Sequence, residues 1–355
     1  MPERCFVRII IDVMSGDHAP LELLKGAVMA AEEYRVPITV VGDPEVIERV
    51  AKENALSLES VEIAHAEDVI SMEDKPLSII REKSNSSMGV GLRMLQNGEG
   101  DAFVSAGNTG ALLAGSTLLV RRIRGIRRAA IATFLPFPTP VLLMDAGANL
   151  VVTPDDLEQF AYMGSFYMKK LHGIEKPRVG LLNNGAEATK GLPLQVETYE
   201  RLSANPDINF IGNVEAKDIP FDACDILLTD GFTGNIVLKY TEGMGRFMLS
   251  TLKQLFTKNA ITKASALAMK GQLSALKKQF DASEYGGAPL LGISRPVIKA
   301  HGSSDAKAIK NAVLQTIAFL STGMNHEIAR MAAELDLKNR EKKKAEESES
   351  STTTE

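Results

Sequence analysis

The sequence predicts an α/β fold in which a doubly wound sheet lies between two layers of helices. Short apolar runs alternate along the chain with longer amphipathic segments, as strands and crossover helices do in such folds. Several of these runs are apolar on both faces, as expected for strands that helices cover on each side. With 355 residues, 45% of them apolar, the chain can bury the core that this architecture needs.

The individual elements follow from the spacing of the apolar residues. Nine apolar runs predict strands at residues 7–13, 38–41, 61–64, 102–104, 130–134, 141–144, 179–182, 208–211 and 226–228. Five segments between them predict helices at residues 21–34, 45–54, 109–120, 154–171 and 193–204. A further helical segment is expected after residue 305.

We assign residues 1–337 to one α/β domain with two departures from the alternating pattern. Residues 243–285 form a basic helical excursion in which amphipathic helices replace the alternation. Residues 338–355 are charged and then rich in Ser, Thr and Glu, without apolar periodicity. Such a tail buries too little apolar surface to fold, so we expect it to be disordered.

The composition argues against several classes of protein. The net charge is −5, Trp is absent and aromatic residues make up 5% of the chain, which disfavours nucleic-acid binding by charge or by stacking. The two cysteines, Cys5 and Cys224, are far apart and match no zinc-ligand spacing, so we expect no metal and a reducing compartment. No apolar run approaches the roughly 20 residues that span a bilayer. These features predict a cytoplasmic protein.

The most informative motif is an internal repeat. The segment DAFVSAGNTGALL at residues 101–113 aligns without gaps with DILLTDGFTGNIVL at residues 225–238. Each copy reads as a strand, a glycine-rich turn and a helix, an arrangement that presents backbone N–H groups to an anion at the helix N-terminus. The candidate phosphate-binding residues of the two copies are Ser105, Gly107, Thr109 and Gly110, and Asp230, Gly231, Thr233, Gly234 and Asn235.

Three other strand ends carry polar residues of the same kind. The carboxyl ends of strands meet at one crevice in an open α/β sheet, so we expect these side chains to converge with the repeat. One glycine-rich turn alone is more often simple loop geometry, but the two copies of the repeat together with MDAGAN and HGSS make four such loops, which favours an anion-binding crevice. The candidates are Asp12, Gly16, Asp17 and His18 in DVMSGDHAP, Asp145 and Asn149 in MDAGAN, and His301 in HGSS.

The chain lacks the motifs of several nucleotide-dependent and covalent mechanisms. Neither a GxxxxGK[ST] loop nor a GxGxxG fingerprint is present, which weakens nucleoside-triphosphate and dinucleotide readings. There is no GxSxG nucleophile elbow either. A reaction in which a substrate is itself the nucleophile needs only positioning and charge stabilisation, and this chain supplies the groups for both.

At these residues the sequence resembles the PlsX family of phosphate acyltransferases, from about Arg8 to Ala329. The resemblance rests on DVMSGDHAP, DAFVSAGNTGALLAG, MDAGAN, GNVEAKDI, TDGFTGNIVLKYTEG, and YGGAPLLG followed by HGSS. It implies a fold related to isocitrate dehydrogenase and phosphotransacetylase, a homodimer, and transfer of an acyl group from acyl carrier protein to inorganic phosphate without a cofactor. The acyl phosphate would feed a membrane glycerol-3-phosphate acyltransferase in phospholipid synthesis. His18, Asn108 and Lys190 are the catalytic candidates on this basis.

The basic excursion has three possible roles. Between residues 243 and 280 it has no acidic residue, and its apolar residues form two stripes, one of them flanked by Lys263, Lys270 and Lys277. A helical hairpin of this kind can pack in a dimer interface, lie on anionic lipid, or bind an acidic carrier protein. We favour dimerisation with peripheral membrane contact. A cluster of arginines is a second candidate for carrier docking, formed by Arg121, Arg122, Arg124, Arg127 and Arg128.

Three alternative functions remain open at this point. A phosphotransacetylase that uses an acyl-CoA donor would share the fold and the chemistry. An NAD-dependent dehydrogenase of related fold is weakened by the missing dinucleotide fingerprint. A non-catalytic, membrane-associated scaffold for acyl carrier protein would bind the same partners without turnover.

Overall fold

The computed structural model describes residues 7–280 and 282–335 and confirms the α/β prediction. The strands are β1 (Ile9–Asp12), β2 (Ile38–Gly42), β3 (Val61–His65), β4 (Ala102–Ser105), β5 (Ala130–Ile131), β6 (Thr133–Leu135), β7 (Val141–Met144), β8 (Val179–Asn183), β9 (Phe210–Glu215), β10 (Ile226–Leu228), β11 (Gly287–Leu291) and β12 (Val297–Ala300). The helices are α1 (Leu21–Tyr34), α2 (Pro44–Glu53), α3 (Ser87–Asn97), α4 (Thr109–Gly115), α5 (Pro154–His172), α6 (Pro193–Ala204), α7 (Gly231–Thr257), α8 (Ala260–Ala268), α9 (Lys270–Gln279), α10 (Ala282–Tyr285) and α11 (Ala306–Ser321).

The strands form two sheets in which parallel pairing dominates. The first sheet has the order β3-β2-β1-β4-β12-β11-β5, and only β11 runs antiparallel to its neighbours. The second has the order β6-β7-β10-β8-β9, with β6 antiparallel at its edge. The carboxyl ends of β1, β4 and β12 lie at one edge of the first sheet because these strands are parallel. Loops that follow these strands are therefore neighbours.

Helices cover both faces of the first sheet. Along β1, Ile9 and Ile11 belong to a core that includes residues of α1 and α11, while Ile10 belongs to a core that includes residues of α3. Alternate side chains of a strand point to opposite faces, so this division shows that the sheet is doubly wound. The core on the α3 side continues to Leu143 and Leu227 of the second sheet. The two sheets therefore share one central core.

Three predicted elements differ from the structure by more than two residues at one end or in how they are divided. The run at 130–134 is two short strands in different sheets, because Ile131 pairs with β11 whereas Thr133 pairs with β7. The strand expected at 208–211 occupies Phe210–Glu215, in register with β8. The helix expected at 109–120 keeps α-helical bonding only to Gly115 and ends in a wider turn, in which Arg121 N–H donates to the Ser116 carbonyl at 2.8 Å.

The basic excursion is a helical arm, formed by α7, α8 and α9. With 27 residues, α7 is about 40 Å long. No residue of α8 or α9 is buried. The ring of Phe280, just after α9, lies against Gly245, where an added Cβ would be 2.8 Å from it. The end of α9 therefore folds back onto α7, as expected for a hairpin.

Two further sequence predictions concern the membrane and the tail. In the described part of the chain, no helix has the length and the apolar character needed to cross a membrane. The predicted tail at 338–355 lies outside the described residues.

Candidate functional site

A cleft of about 710 Å³ opens where the two sheets meet. Its lining includes Gly107 and Thr109 after β4, Ala146 and Gly147 after β7, and the residues that follow β12. The α7 helix lines the cleft over about three turns, from Asn235 to Arg246. The sequence prediction that strand ends converge on one crevice therefore holds for these segments.

The two copies of the internal repeat are strand–turn–helix units of different sheets. The first connects β4 to α4 in the first sheet, and the second connects β10 to α7 in the second sheet. Each leading aspartate makes the same contact: Asp101 accepts from the Arg8 N–H at 2.8 Å, and Asp225 accepts from the Arg178 N–H at 2.6 Å. Asp101 thereby fixes the start of the neighbouring strand β1, and Asp225 fixes the start of β8. These two carboxylates are thus structural parts of the repeat.

Asn108 joins the first glycine-rich turn to the segment at 71–74. Its Oδ1 accepts from the Ala111 N–H at 3.1 Å and caps α4. Its Nδ2 donates to the carbonyls of Ser71, Met72 and Asp74 at 3.0–3.3 Å. The side-chain amide is fully used by protein partners, so this geometry gives Asn108 a positioning role. Gly110 lies nearby, where an added Cβ would be 2.9 Å from Pro76.

The second glycine-rich turn is built for close packing. Asp230 caps α7 by accepting from the Thr233 N–H at 2.8 Å and from its Oγ1 at 2.7 Å. A Cβ on Gly231 would lie 2.7 Å from the Asn149 carbonyl oxygen, and one on Gly234 would lie 2.0 Å from that of Asp145. The glycines therefore let the first turn of α7 rest on the backbone that follows β7.

Asp145 organises the loop after β7. Its buried carboxylate accepts from the N–H groups of Ile131, Gly147, Ala148 and Asn149 at 2.7–3.1 Å, and from Asn149 Nδ2 at 2.8 Å. Burial raises the pKa of this carboxyl, while these donors oppose the increase. Asn149 Nδ2 also donates to the Ala129 carbonyl at 2.7 Å. Both side chains support the floor of the site rather than line the cleft.

The loop after β1 contributes one residue to the cleft lining and one buried carboxylate below it. Asp12 is fully buried, and its carboxylate accepts from Ser105 Oγ at 2.8 Å and from the Met14 N–H at 3.1 Å. Asp17 lines the cleft, and its N–H donates to the Gly302 carbonyl at 2.8 Å, which ties this loop to the one after β12. His18 is exposed beside it and is absent from the cleft lining.

The loop after β12 places an imidazole in the cleft. Ser303 holds Nδ1 of His301 through its hydroxyl at 2.9 Å and its backbone N–H at 3.2 Å. Burial lowers the pKa of His301, which favours the neutral ring. Its Nε2 lies 3.9 Å from Glu242 Oε2 of α7. His301 is therefore the predicted histidine that the structure brings into the cleft.

The sequence interpretation missed Lys299, a partly buried lysine of the cleft lining. It lies two residues before His301 in the apolar strand VIKA, where a lysine resembles an ordinary solvated side chain. Burial lowers its pKa to about 8. Its position is set by the pairing of β12 with β4, which joins residues almost 200 positions apart and leaves no local signal.

The structure leaves two predicted groups outside this cleft. Lys190 is exposed in the loop after β8 and is not part of the cleft lining. The arginine cluster divides: Arg127 and Arg128 form ion pairs with carboxylates of α5, whereas Arg121 and Arg122 line a separate cleft of about 540 Å³. Arg295, two residues before β12, also lines this second cleft, which therefore lies at the opposite end of that strand.

Comparison of the sequence with known proteins gives a consistent result over nearly the whole chain. The profile of a family described as "Fatty acid synthesis protein" matches residues 7–327. The protein named Phosphate acyltransferase of Alkaliphilus oremlandii is 46% identical over 315 residues, which cover 88% of this chain and 94% of that protein. The Phosphate acyltransferase of Thermoanaerobacter pseudethanolicus is 44% identical over 337 residues, covering 93% of this chain and 100% of that protein.

Solved structures with a similar fold are much more distant in sequence. The EutD phosphotransacetylase from Staphylococcus aureus matches with a TM-score of 0.55 at 14% identity, over 88% of this chain and 93% of that one. A phosphotransacetylase from Streptococcus pyogenes matches with a TM-score of 0.56 at 14% identity, over 92% and 94%. At this level of identity the likeness establishes the fold.

Proposed function

The chain belongs to the fatty acid synthesis protein family, whose relatives are named phosphate acyltransferases, and we propose that it transfers an acyl group from a thioester of acyl carrier protein to inorganic phosphate. Transfer of an acyl group follows from the family. We propose in addition that the acyl donor is bound to carrier protein, and we propose roles for individual residues. The main support is that the cleft lining combines cationic and apolar side chains.

The cleft combines groups suited to the two halves of an acyl phosphate. Lys239 and Lys299 contribute cations, which attract a phosphate dianion in a partly dehydrated site. Apolar side chains from the β5–β6 segment and from the helical arm can cover an acyl chain, because burying apolar surface is favourable. These apolar residues are Ile131, Phe134, Pro136, Leu238 and Phe280.

The chemistry needs no nucleophile from the protein. A phosphate oxygen attacks the thioester carbonyl carbon, forms a new C–O bond, and gives a tetrahedral oxyanion. The C–S bond then breaks, and the leaving thiolate takes up a proton. That proton is the one that the attacking hydrogen phosphate loses, and His301 in the cleft lining is a candidate to relay it, first as a base towards the phosphate and then as an acid towards the thiolate. His18 and Lys190 are exposed and lie outside the cleft lining. Their participation in the reaction stays a prediction from the sequence.

The direct test is phosphate-dependent release of free carrier protein. We expect the protein to release it from a long-chain acylated carrier and to form one acyl phosphate per thioester lost, since phosphate is the nucleophile. Product and carrier are quantified by mass spectrometry with and without phosphate. Matched acyl-CoA serves as the competing donor. Faster use of acyl-CoA would favour the phosphotransacetylase alternative, and carrier binding without thioester loss would favour the scaffold.

We further propose that the helical arm serves assembly and membrane contact. On α7 a row of large apolar side chains is exposed, with Phe232, Tyr240 and Phe247 at 59%, 68% and 63%. A second copy of the chain would cover such a surface in a homodimer. The lysines of α8 and α9 suit anionic lipid, near a membrane acyltransferase that consumes the acyl phosphate.

Charge reversal in the arm tests the membrane proposal. We expect Lys263→Glu, Lys270→Glu and Lys277→Glu together to weaken binding to anionic vesicles on the order of 100-fold, since each basic residue near such a surface contributes about 1 kcal/mol. Flotation is measured against vesicles of neutral lipid as the control. Equal flotation with both lipids, or no effect of the three changes, would contradict this role.

A further inference from the structure

Three adjacent parallel strands carry a row of polar residues at their carboxyl ends. Asp12 on β1 is the register partner of Ser105 on β4, and Ser105 is also the register partner of Lys299 on β12. Partners in a parallel sheet project their side chains from the same face. A carboxylate, a hydroxyl and an ammonium group therefore follow one another across the sheet, at the edge where the cleft opens.

The carboxylate end of this row is sealed from solvent. Asp12 is fully buried below the cleft, and burial raises the pKa of its carboxyl. Ser105 Oγ donates its proton to Asp12 Oδ2 at 2.8 Å and accepts from the Gly107 N–H at 3.1 Å. One hydroxyl thus joins the carboxylate to the first glycine-rich turn. This connection fixes the turn relative to β1.

The ammonium end of the row reaches the cleft. Lys299 Nζ donates to the carbonyl of Ala106 at 3.2 Å and to that of Ala300. An ammonium group has three N–H donors. Within residues 7–280 and 282–335, these two carbonyls are its hydrogen-bond acceptors, so a third N–H is available to a ligand. The anchoring carbonyls hold the nitrogen in one place before any ligand arrives.

The charges around Lys299 favour the binding of an anion beside it. Burial and the nearby Lys239 disfavour its charged form, whereas the fields of Asp12 and Asp17 favour it. None of these carboxylates is in hydrogen-bond contact with Nζ in the described structure. A phosphate group in the cleft would supply the missing counter-charge to this ammonium group. Because Lys299 is partly buried, such a pairing would stabilise its charged form more than it would at an exposed site. The other charged or titratable groups of the lining are Glu242, Arg246, His301 and Asp305.

We propose that Lys299 binds the phosphate substrate directly. In this proposal Asp12 and Ser105 are positioning residues, which favour the charged form of Lys299 and fix the adjacent glycine-rich turn. This proposal rests on the proposed function and names the residue that meets inorganic phosphate. In this arrangement the phosphate dianion accepts a hydrogen bond from the third N–H of Lys299. It lies beside the backbone N–H groups of the first glycine-rich turn.

The first test is the KM for inorganic phosphate in Lys299→Met and Lys299→Arg. We expect Lys299→Met to raise this KM on the order of 10- to 100-fold, the effect of losing one hydrogen bond between charged groups. The KM for the acyl donor should change little, because the acyl chain contacts other residues. Lys299→Arg keeps the charge and should recover most of the affinity.

The second test is the pH dependence of the same KM. The ammonium form binds phosphate, so in the unaltered protein the KM should rise as the pH increases through about 8, the pKa of Lys299. In Lys299→Arg this rise should disappear, because a guanidinium stays charged over the whole range. In Asp12→Asn the rise should begin at lower pH, since a charge that favours the ammonium has been removed. A purely structural role for Asp12 would not move this inflection.

The control and the decisive outcomes separate the two proposals. Lys176→Met, in the exposed loop before β8, should leave the phosphate KM unchanged. Absence of phosphate-dependent turnover in the unaltered protein would overturn the proposed function. Turnover with a phosphate KM within twofold in Lys299→Met would overturn the role of Lys299 alone. If circular dichroism shows that Lys299→Met does not fold, the pH profile of Lys299→Arg decides, and a retained inflection near pH 8 overturns the proposal.

Discussion

Gly234→Ala is expected to lower the free energy of unfolding by about 3 kcal/mol, because the new methyl group would overlap backbone atoms that cannot move aside. The Cβ would lie 2.0 Å from the carbonyl oxygen of Asp145 and 3.0 Å from a side-chain carbon of Thr229. Relief requires the first turn of α7 to move away from the loop after β7. Since the loop after β7 and the part of α7 from Asn235 onward line the cleft, turnover should fall together with stability. Urea unfolding followed by circular dichroism measures the change.

Gly243→Ala is the matched control for that substitution. It lies in the same helix, and an added Cβ would meet no atom within 4 Å. Alanine in an open helical position is favoured over glycine by about 0.5–1 kcal/mol, so this variant should be slightly more stable than the unaltered protein. Equal effects of the two substitutions would show that the close approach at Gly234 does not affect the free energy of unfolding.

Asp145→Ala should destabilise the protein on the order of 4 kcal/mol, because it leaves several donors without their acceptor. Five hydrogen bonds end on this carboxylate, four of them from backbone N–H groups. These bonds fix the loop between β7 and α5 and tie it to β5. Thermal and urea unfolding report the loss of stability, and the phosphate-dependent assay reports the accompanying loss of turnover.

Asp230→Ala provides the comparison for Asp145→Ala. Asp230 is half-buried at the start of α7, and among the described residues its carboxylate accepts from Thr233, so its removal costs one helix cap, about 1 kcal/mol. A loss at Asp145 no larger than the loss at Asp230 would contradict the organising role of the buried carboxylate.

Elements with strong local signals could be predicted from the sequence. The bounds of α1 and α6 match the prediction residue by residue, and for α6 a proline at the first helical position marks the start. The helix α3 was missed because Gly89 and Gly91 lower its helix propensity. The structure gives the reason for Gly91, where a Cβ would lie 2.3 Å from the ring of Phe103. Here packing overrides propensity.

The site was predictable where loops carry their own signature. The first glycine-rich turn of the internal repeat lines the cleft through Gly107 and Thr109, whereas the second copy reaches it through α7 from Asn235 onward. The strands β11 and β12 were missed, because β11 begins with Gly, Ala and Pro and both strands depend on distant partners. Lys299 was missed with them. Its importance appears only when β12 lies against β4, which no local pattern encodes.

The strand order also fixes when the site can assemble. The strands β1 to β4 come from the first third of the chain, but β12, which lies between β4 and β11, comes from residues near 300. During synthesis the amino-terminal strands leave the ribosome long before the strand that completes their sheet. Until then the edge of β4 is unpaired, and Ser105 faces no lysine. The end of the cleft that Lys299 lines is therefore among the last parts of the protein to form, and its formation depends on contacts of high sequence separation, which are slow to form.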